Sequence, residues 1–315
     1  MPTNEFKKLL DREFSKAAVR PITELASPLL QELVNQGLMI FRRCDAEAGR
    51  TGKEDHDVAA LIMYRHIIEM VDAIEVLVSN SCGTAAIPVL RSAFEGMLGL
   101  MYLLEESARY AERALSWLVT GIHIGIRARQ VLESGTSKGR EYAQLYEKEF
   151  GGVIPRVPKA ELAADIQQLE NLLETGQFTP IEAEYSRTRK ALNRNPDWFS
   201  LFGGPKNRSE LAERLGMGAI FRLLYWDWST LLHGNDLRRY LSSESGRPAY
   251  DGVRRPNELQ TISRLAAVLL LRATRVMIEK FRKGENLEPW YARDVKPLLE
   301  RLAGLEVTFT SLTEG

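Results

Sequence analysis

AAIPVLRSAFEGMLGLMYLL, residues 85–104, carries only three polar side chains besides the Tyr102 phenol: Arg91, Ser92 and Glu95. A segment that is apolar nearly all round at helical length is a buried helix. Its two charges are therefore out of place, because Arg and Glu almost never enter a core unless paired. Their i,i+4 spacing puts them on one face, in the Arg-before-Glu order that gives the weaker helix support. Helix stability alone is a poor reason to keep such a pair, since apolar replacement of a buried pair is often neutral or stabilising. The run approaches membrane-span length, but a mid-span ion pair and Pro88 favour a core helix of a chain with no membrane role. Arg91 and Glu95 are thus expected to be largely buried, in mutual contact, and part of a site.

Working outward, nearly every other segment also has helical periodicity, and no alternating run is flanked by turn chemistry on both sides. The first 45 or so residues give two helices split near Val19–Pro21, then a polar loop (AEAGRTGKEDHD). An amphipathic helix follows over 57–79, a turn at 80–84 with Thr84 as N-cap, the apolar helix, and another over about 108–133. Charge-rich helices between 135 and 195 read as a peripheral insertion with solvated faces. The Trp198 loop plugs aromatic residues onto the core, and Gly216 closes a short helix over 209–215. A helix is expected from Met217 to about His233, then a Gly/Pro-rich loop (SSESGRPAYDGVRRPN), and helices over 258–282 and 288–302. The expected fold is an all-α multi-helix bundle in one domain: N-terminal helices 1–46, a core of 57–134 and 209–303, and the insertion at 135–195.

Composition narrows the function classes. Lys plus Arg and Asp plus Glu both number 42, so the net charge is zero and no global field draws nucleic acid or a membrane. Cys44 and Cys82 form no C-x-x-C, and the start MPTNEFKKLLDREF lacks an apolar h-region, so reduced thiols and a cytoplasmic location are expected. P-loop, dinucleotide, zinc-protease and nucleophile-elbow motifs are absent, which leaves no expected metal or cofactor. Gly203–Lys206 (GGPK) lacks the spacing of a phosphate loop and reads as a turn. The arginines at 238, 239, 247, 254 and 255 outnumber the acids around them, but a solvated loop accounts for that excess.

A second polar cluster follows. Tyr225, Ser229 and His233 recur every four residues within about an 80° arc of one helix, and Arg222 falls in the same arc. Leu224, Trp228, Leu231 and Leu232 occupy the neighbouring arc, so the polar stripe borders the core. Isolated polar clusters on apolar helices lower their cost by meeting. Arg91 and Glu95 are therefore expected to converge with Tyr225, Ser229 and His233. His66 and His123 lie in apolar helices and read as packing residues; the R-x5-H spacing of Arg50 and His56 falls in a loop.

L-R-S-x-x-E at 90–95, the Trp198 loop and Y-x-x-x-S-x-x-x-H-G at 225–234 resemble a bacterial all-helical family, domain of unknown function 5677, over roughly 60–270. That resemblance implies a helical fold and no established activity. A looser similarity joins R-x-x-x-E and His233-Gly-Asn235 to the HEPN superfamily of helical bundles, many of them metal-independent ribonucleases of toxin–antitoxin and phage-defence systems. It implies His233 as general acid/base, Arg91 on the phosphate, Glu95 orienting Arg91, and Tyr225, Ser229, Arg222 and Asn235 toward substrate. It also implies RNA as ligand and a homodimer. The usual HEPN signature, Arg followed after four to six residues by His, does not precede His233. A non-catalytic module for a small anionic ligand or a partner protein, and a scaffold with a purely structural network, remain as alternatives.

Overall fold

The computed structural model describes residues 12–50, 55–132, 135–151, 159–228, 241–244, 247–250, 254 and 258–306. The chain divides into two compact units. The first comprises 1–54, 60–104 and 212–315; the second comprises 55–59 and 105–211. The second is wider than the insertion expected at 135–195, because the helix that starts at Tyr110 belongs with it.

In the first unit, α1 (Arg12–Arg50) is one helix, not the expected pair, and it runs through Pro21 and Pro28. A proline inside a helix removes one hydrogen bond at a cost of about 3 kcal/mol. Both prolines are exposed, so water can take the freed carbonyls on the outer face. On the inner face Val19, Ile22, Ala26, Leu29, Leu30 and Leu33 are buried on either side of both prolines. Each such leucine contributes about 1.5–3 kcal/mol on burial, enough to offset the breaks. Next come α2 (Asp55–Ser79), whose residues from Ala60 belong to this unit, and α3 (Gly83–Leu104). Glu75 on α2 is buried and accepts from Gln31 (3.0 Å), from Ser79 (2.7 Å) and from the Ser27 hydroxyl, which ties α2 to α1.

In the second unit, α4 (Tyr110–Leu132) packs against α5 (Ser137–Phe150), α6 (Lys159–Leu173), α7 (Thr179–Leu192) and the 3-10 turn Trp198–Gly203. Its core gathers Val119, Ile126, Ile166, Phe178, Ile181, Tyr185 and Leu201. Leu201 and the buried Phe199 come from the Trp198 turn, which plugs the core as its aromatic content predicts. Arg113, 3% exposed, lies between Glu105 (3.2 Å) and Glu106 (2.6 Å).

The chain continues through α8 (Arg208–Arg214), closed by Gly216 at φ +69°, and α9 (Gly218–Arg222). The helix expected from Met217 to about His233 is present over 218–227, but α9 passes without a break into a π turn over Leu223–Asp227, with Trp228 N–H reaching Leu223 O at 3.1 Å. Residues 229–240 lie outside the described residues. The Gly/Pro-rich segment, expected to be loop, contains an antiparallel hairpin of β1 (Leu241–Glu244) and β2 (Arg247–Tyr250), paired Leu241 with Tyr250 and Glu244 with Arg247. This is the only sheet among the described residues, and the fold is an all-α multi-helix bundle. Last come α10 (Leu259–Phe281), which packs on α1 and α3, then α11 (Glu288–Trp290), a second π turn (Tyr291–Val295) and α12 (Lys296–Ala303).

Candidate functional site

α3 is the one helix among the described residues long and apolar enough to cross a membrane, and 56% of its most apolar window is buried inside the structure. Its apolar faces serve the core: Leu90, Ala93, Phe94, Met97 and Leu98 are buried. Pro88, Arg91, Ser92 and Glu95 form a stripe that the bundle leaves incompletely covered. The Arg91 and Glu95 side chains are 29% and 32% exposed. The expectation of a largely buried pair is corrected here. A helix with one polar stripe needs only that stripe near water, and the pair lies along it.

The pair is in contact as expected, Arg91 Nε donating to Glu95 Oε1 at 3.2 Å. Tyr225, from the π turn, donates its hydroxyl to the same carboxylate oxygen. Its ring lies under the guanidinium, with Arg91 Cζ 3.6 Å from the ring centroid. Phe221, one turn earlier, stacks on Tyr225 with centroids 4.2 Å apart and planes 14° apart. Thus Arg91 is fixed in-plane by Glu95 and face-on by an aromatic pair. A π turn suits this position, because wide turns re-aim side chains and recur at functional sites.

Electrostatics follow from the geometry. Burial, then the hydrogen bond and charge of Glu95, push the Tyr225 phenol up to about 12, against the opposing pull of Arg91. Tyr225 is therefore a neutral donor at ordinary pH and no base. Burial works against the charge of Arg91, but Tyr225 and Glu95 more than offset it and hold the guanidinium charged. Glu95 is the only carboxylate among the described residues that hydrogen-bonds Arg91, and it takes Nε, so no carboxylate among the described residues engages the two Nη groups. A guanidinium edge of this kind matches phosphate and carboxylate oxygens.

The structure thus brings together Arg91, Glu95 and Tyr225. Arg222 goes elsewhere: it is exposed and stands over the ring of Trp226, 5.6 Å from Cζ to centroid, although its arc was expected to join Tyr225. Helical phase counted at 100° per residue does not carry across the π turn that begins after it. Ser229, His233 and Asn235 lie outside the described residues. His66, read as a packing residue, is hydrogen-bonded through Nε2 to Ser92 Oγ (3.1 Å), beside Arg91 in sequence. Gly96 keeps α2 and α3 close, since a Cβ there would sit 3.1 Å from His66 Cδ2. Sequence reasoning missed His66 and Phe221. Ser92, the third polar residue of an otherwise apolar helix, was the signal for the first.

Arg50 pairs with Glu47, and His56 lies edge-on to Tyr110 with centroids 5.0 Å apart; each has its own partner. Clefts of about 410 and 510 Å³ open beside α10, one lined by Thr261, Arg264 and Val268, the other by Arg272, Trp290 and Tyr291. Neither includes the Arg91 cluster. Among the described residues, no three His, Cys, Asp or Glu side chains are grouped to hold a metal ion.

An all-helical protein with a partly exposed guanidinium clamped by a carboxylate and an aromatic face is the class that fold and site define. The profile of a family described as "Family of unknown function (DUF5677)" matches residues 57–248, more than half of the chain, and the protein belongs to that family. The match takes in Arg91, Glu95 and Tyr225. No curated protein and no solved structure matches the chain.

Proposed function

We propose that the protein is a cytoplasmic helical recognition module that takes a phosphate group of its ligand on Arg91. The observation that carries this reading is the clamped guanidinium: Nε on Glu95, one face on Tyr225, and the side chain 29% exposed. Preorganisation of this kind lowers the entropy lost on binding. Glu95 balances the charge of Arg91, so the site favours ligands that add hydrogen bonds to the guanidinium edge over ligands drawn by net charge alone. Two free cysteines fit a reducing compartment. Titration with a short RNA and with a sugar phosphate, followed by tryptophan fluorescence, tests it. Arg91→Gln should weaken binding by about tenfold or more, the worth of a charge-assisted bond. Equal binding by wild type and Arg91→Gln overturns the reading.

A sharper reading is favoured by Tyr225, which heads the Y-x-x-x-S-x-x-x-H spacing and does meet Arg91 and Glu95. In it the protein is a HEPN-like, metal-independent endoribonuclease or toxin-like effector of bacterial stress or phage defence, acting as a homodimer. His233 moves the proton of an RNA 2′-hydroxyl, Arg91 stabilises the phosphate charge and Glu95 positions Arg91. Ser229 and Asn235, and the exposed Arg222, contact substrate. Purified protein should then cut RNA in EDTA, and His233→Ala should lose that activity with its helix content unchanged. RNA left intact by wild type removes this reading and leaves the recognition module standing.

A further inference from the structure

A histidine–carboxylate pair lies in the second unit, on residues that the Arg91 site does not use. His123 on α4 is hydrogen-bonded through Nε2 to Glu182 Oε2 on α7 at 2.7 Å. Its ring stacks on Tyr185, with centroids 4.1 Å and planes 10° apart. Arg127, one turn beyond His123, donates from Nη1 to the Tyr185 hydroxyl at 3.2 Å. Ser186 donates to the other Glu182 oxygen at 3.2 Å. Imidazole and guanidinium are thus both set against one phenol, Tyr185, which is itself 1% exposed.

This is more polar machinery than packing needs. The cluster borders the apolar core of Ile126, Ile181 and Tyr185, where apolar side chains would fill the same space without desolvating a charge. The second nitrogen of His123 and the remaining donors of Arg127 have no hydrogen-bond partner among the described residues. Three residues before His123, Thr120 has a buried hydroxyl, also without a partner among the described residues. Buried polar groups are normally satisfied, and an exception calls for a reason. Thr120, His123 and Arg127 occupy successive turns of one helix stripe, so their uncommitted groups follow one another along α4. The His123 and Glu182 side chains are 18% and 28% exposed, which makes the pair reachable and yet partly enclosed.

We propose that His123 and Arg127 form a second ligand site, for a phosphate-class oxyanion, with Glu182 as a positioning residue. Arg127 offers donors only. A carboxylate engages the guanidinium and leaves the imidazole one turn away unmet, whereas a phosphate has three acceptor oxygens and serves both, the ring donating to it from its second nitrogen as the imidazolium while Nε2–H stays on Glu182. Glu182 and Tyr185 hold the ring by its edge and its face, so His123 presents its second nitrogen in one orientation.

The site is tested with the full ¹⁵N-labelled chain by following the imidazole nitrogens, His123 being assigned from His123→Gln. Inorganic phosphate should shift the His123 signals saturably. Arg127→Gln should raise the half-saturating concentration about tenfold or more, with Arg127→Lys between the two. Arg91→Gln should leave the His123 titration unchanged, so failure here is distinct from failure of the Arg91 reading. Ribose 5-phosphate and an RNA lacking terminal phosphates separate a monoester from a backbone diester as the source. A shift with either supports the site. Absence of a saturable shift with all three probes, or equal half-saturation in Arg127→Gln with unchanged helix content, overturns it.

Discussion

Glu95 is the hinge of the Arg91 cluster, and a double-mutant cycle on Glu95→Gln and Tyr225→Phe puts a number on it. One carboxylate oxygen takes both the Arg91 Nε–H and the Tyr225 O–H. A hydrogen bond to a charged group contributes about 1.5–3 kcal/mol when well enclosed. Here Arg91 and Glu95 are about a third exposed, so water recovers part of that. Each single replacement should therefore cost about 1–2 kcal/mol, below the roughly 3–5 kcal/mol of a fully buried broken pair. The two changes remove one shared contact, so the double mutant should be less destabilised than the sum, with a coupling of about 1 kcal/mol. Urea unfolding can follow it by tryptophan fluorescence, because Trp228, three residues from Tyr225, is 3% exposed. Two compact units can unfold in separate steps, so only the transition that Tyr225→Phe moves should be fitted. Costs that add with a coupling under about 0.3 kcal/mol would show that Glu95 and Tyr225 act independently, and the shared-site reasoning would fall.

Three further outcomes are expected. Burial, reinforced by Glu95, raises the Tyr225 phenol to about 12 from an ordinary 10.0; the folded state keeps the proton when the unfolded chain loses it, so this contribution is full below pH 10 and is lost as pH rises toward 12. Tyr225→Phe should flatten the alkaline fall in stability, and an unchanged slope between wild type and variant would refute the assignment. Gly216→Ala meets open space but imposes φ +69° on an L side chain, so it should cost about 1 kcal/mol in denaturant midpoint from backbone strain alone. Finally, burial pushes the Cys44 thiol up to about 12 and the residue has no exposed surface, while Cys82 is half-buried. Thiol titration at pH 8 should label one cysteine in the native protein and both in urea, and rapid native labelling of two would contradict the packing of α1.

The sequence alone was enough for the helical class, because a 3.6-residue apolar period has no other compact solution. It was enough, too, for the meeting of Arg91 and Glu95 with Tyr225, because polar groups on apolar helices have few ways to lower their cost. Tertiary packing decided the rest. Burial on the inner face of α1 carried the helix through Pro21 and Pro28, which local rules read as a break. Incomplete cover of one α3 stripe left Arg91 and Glu95 near water, which composition could not reveal since it does not say which neighbour ends where. The π turn at Leu223–Asp227 sent Arg222 to the surface beside Trp226, because phase along a helix is a sum over turns and one wide turn changes it. The pairing of His123 with Glu182 joins residues 59 apart in sequence, on helices whose own patterns show only an apolar face and a charged one. Local pattern determines what each segment becomes; which polar groups end up face to face depends on contacts between segments.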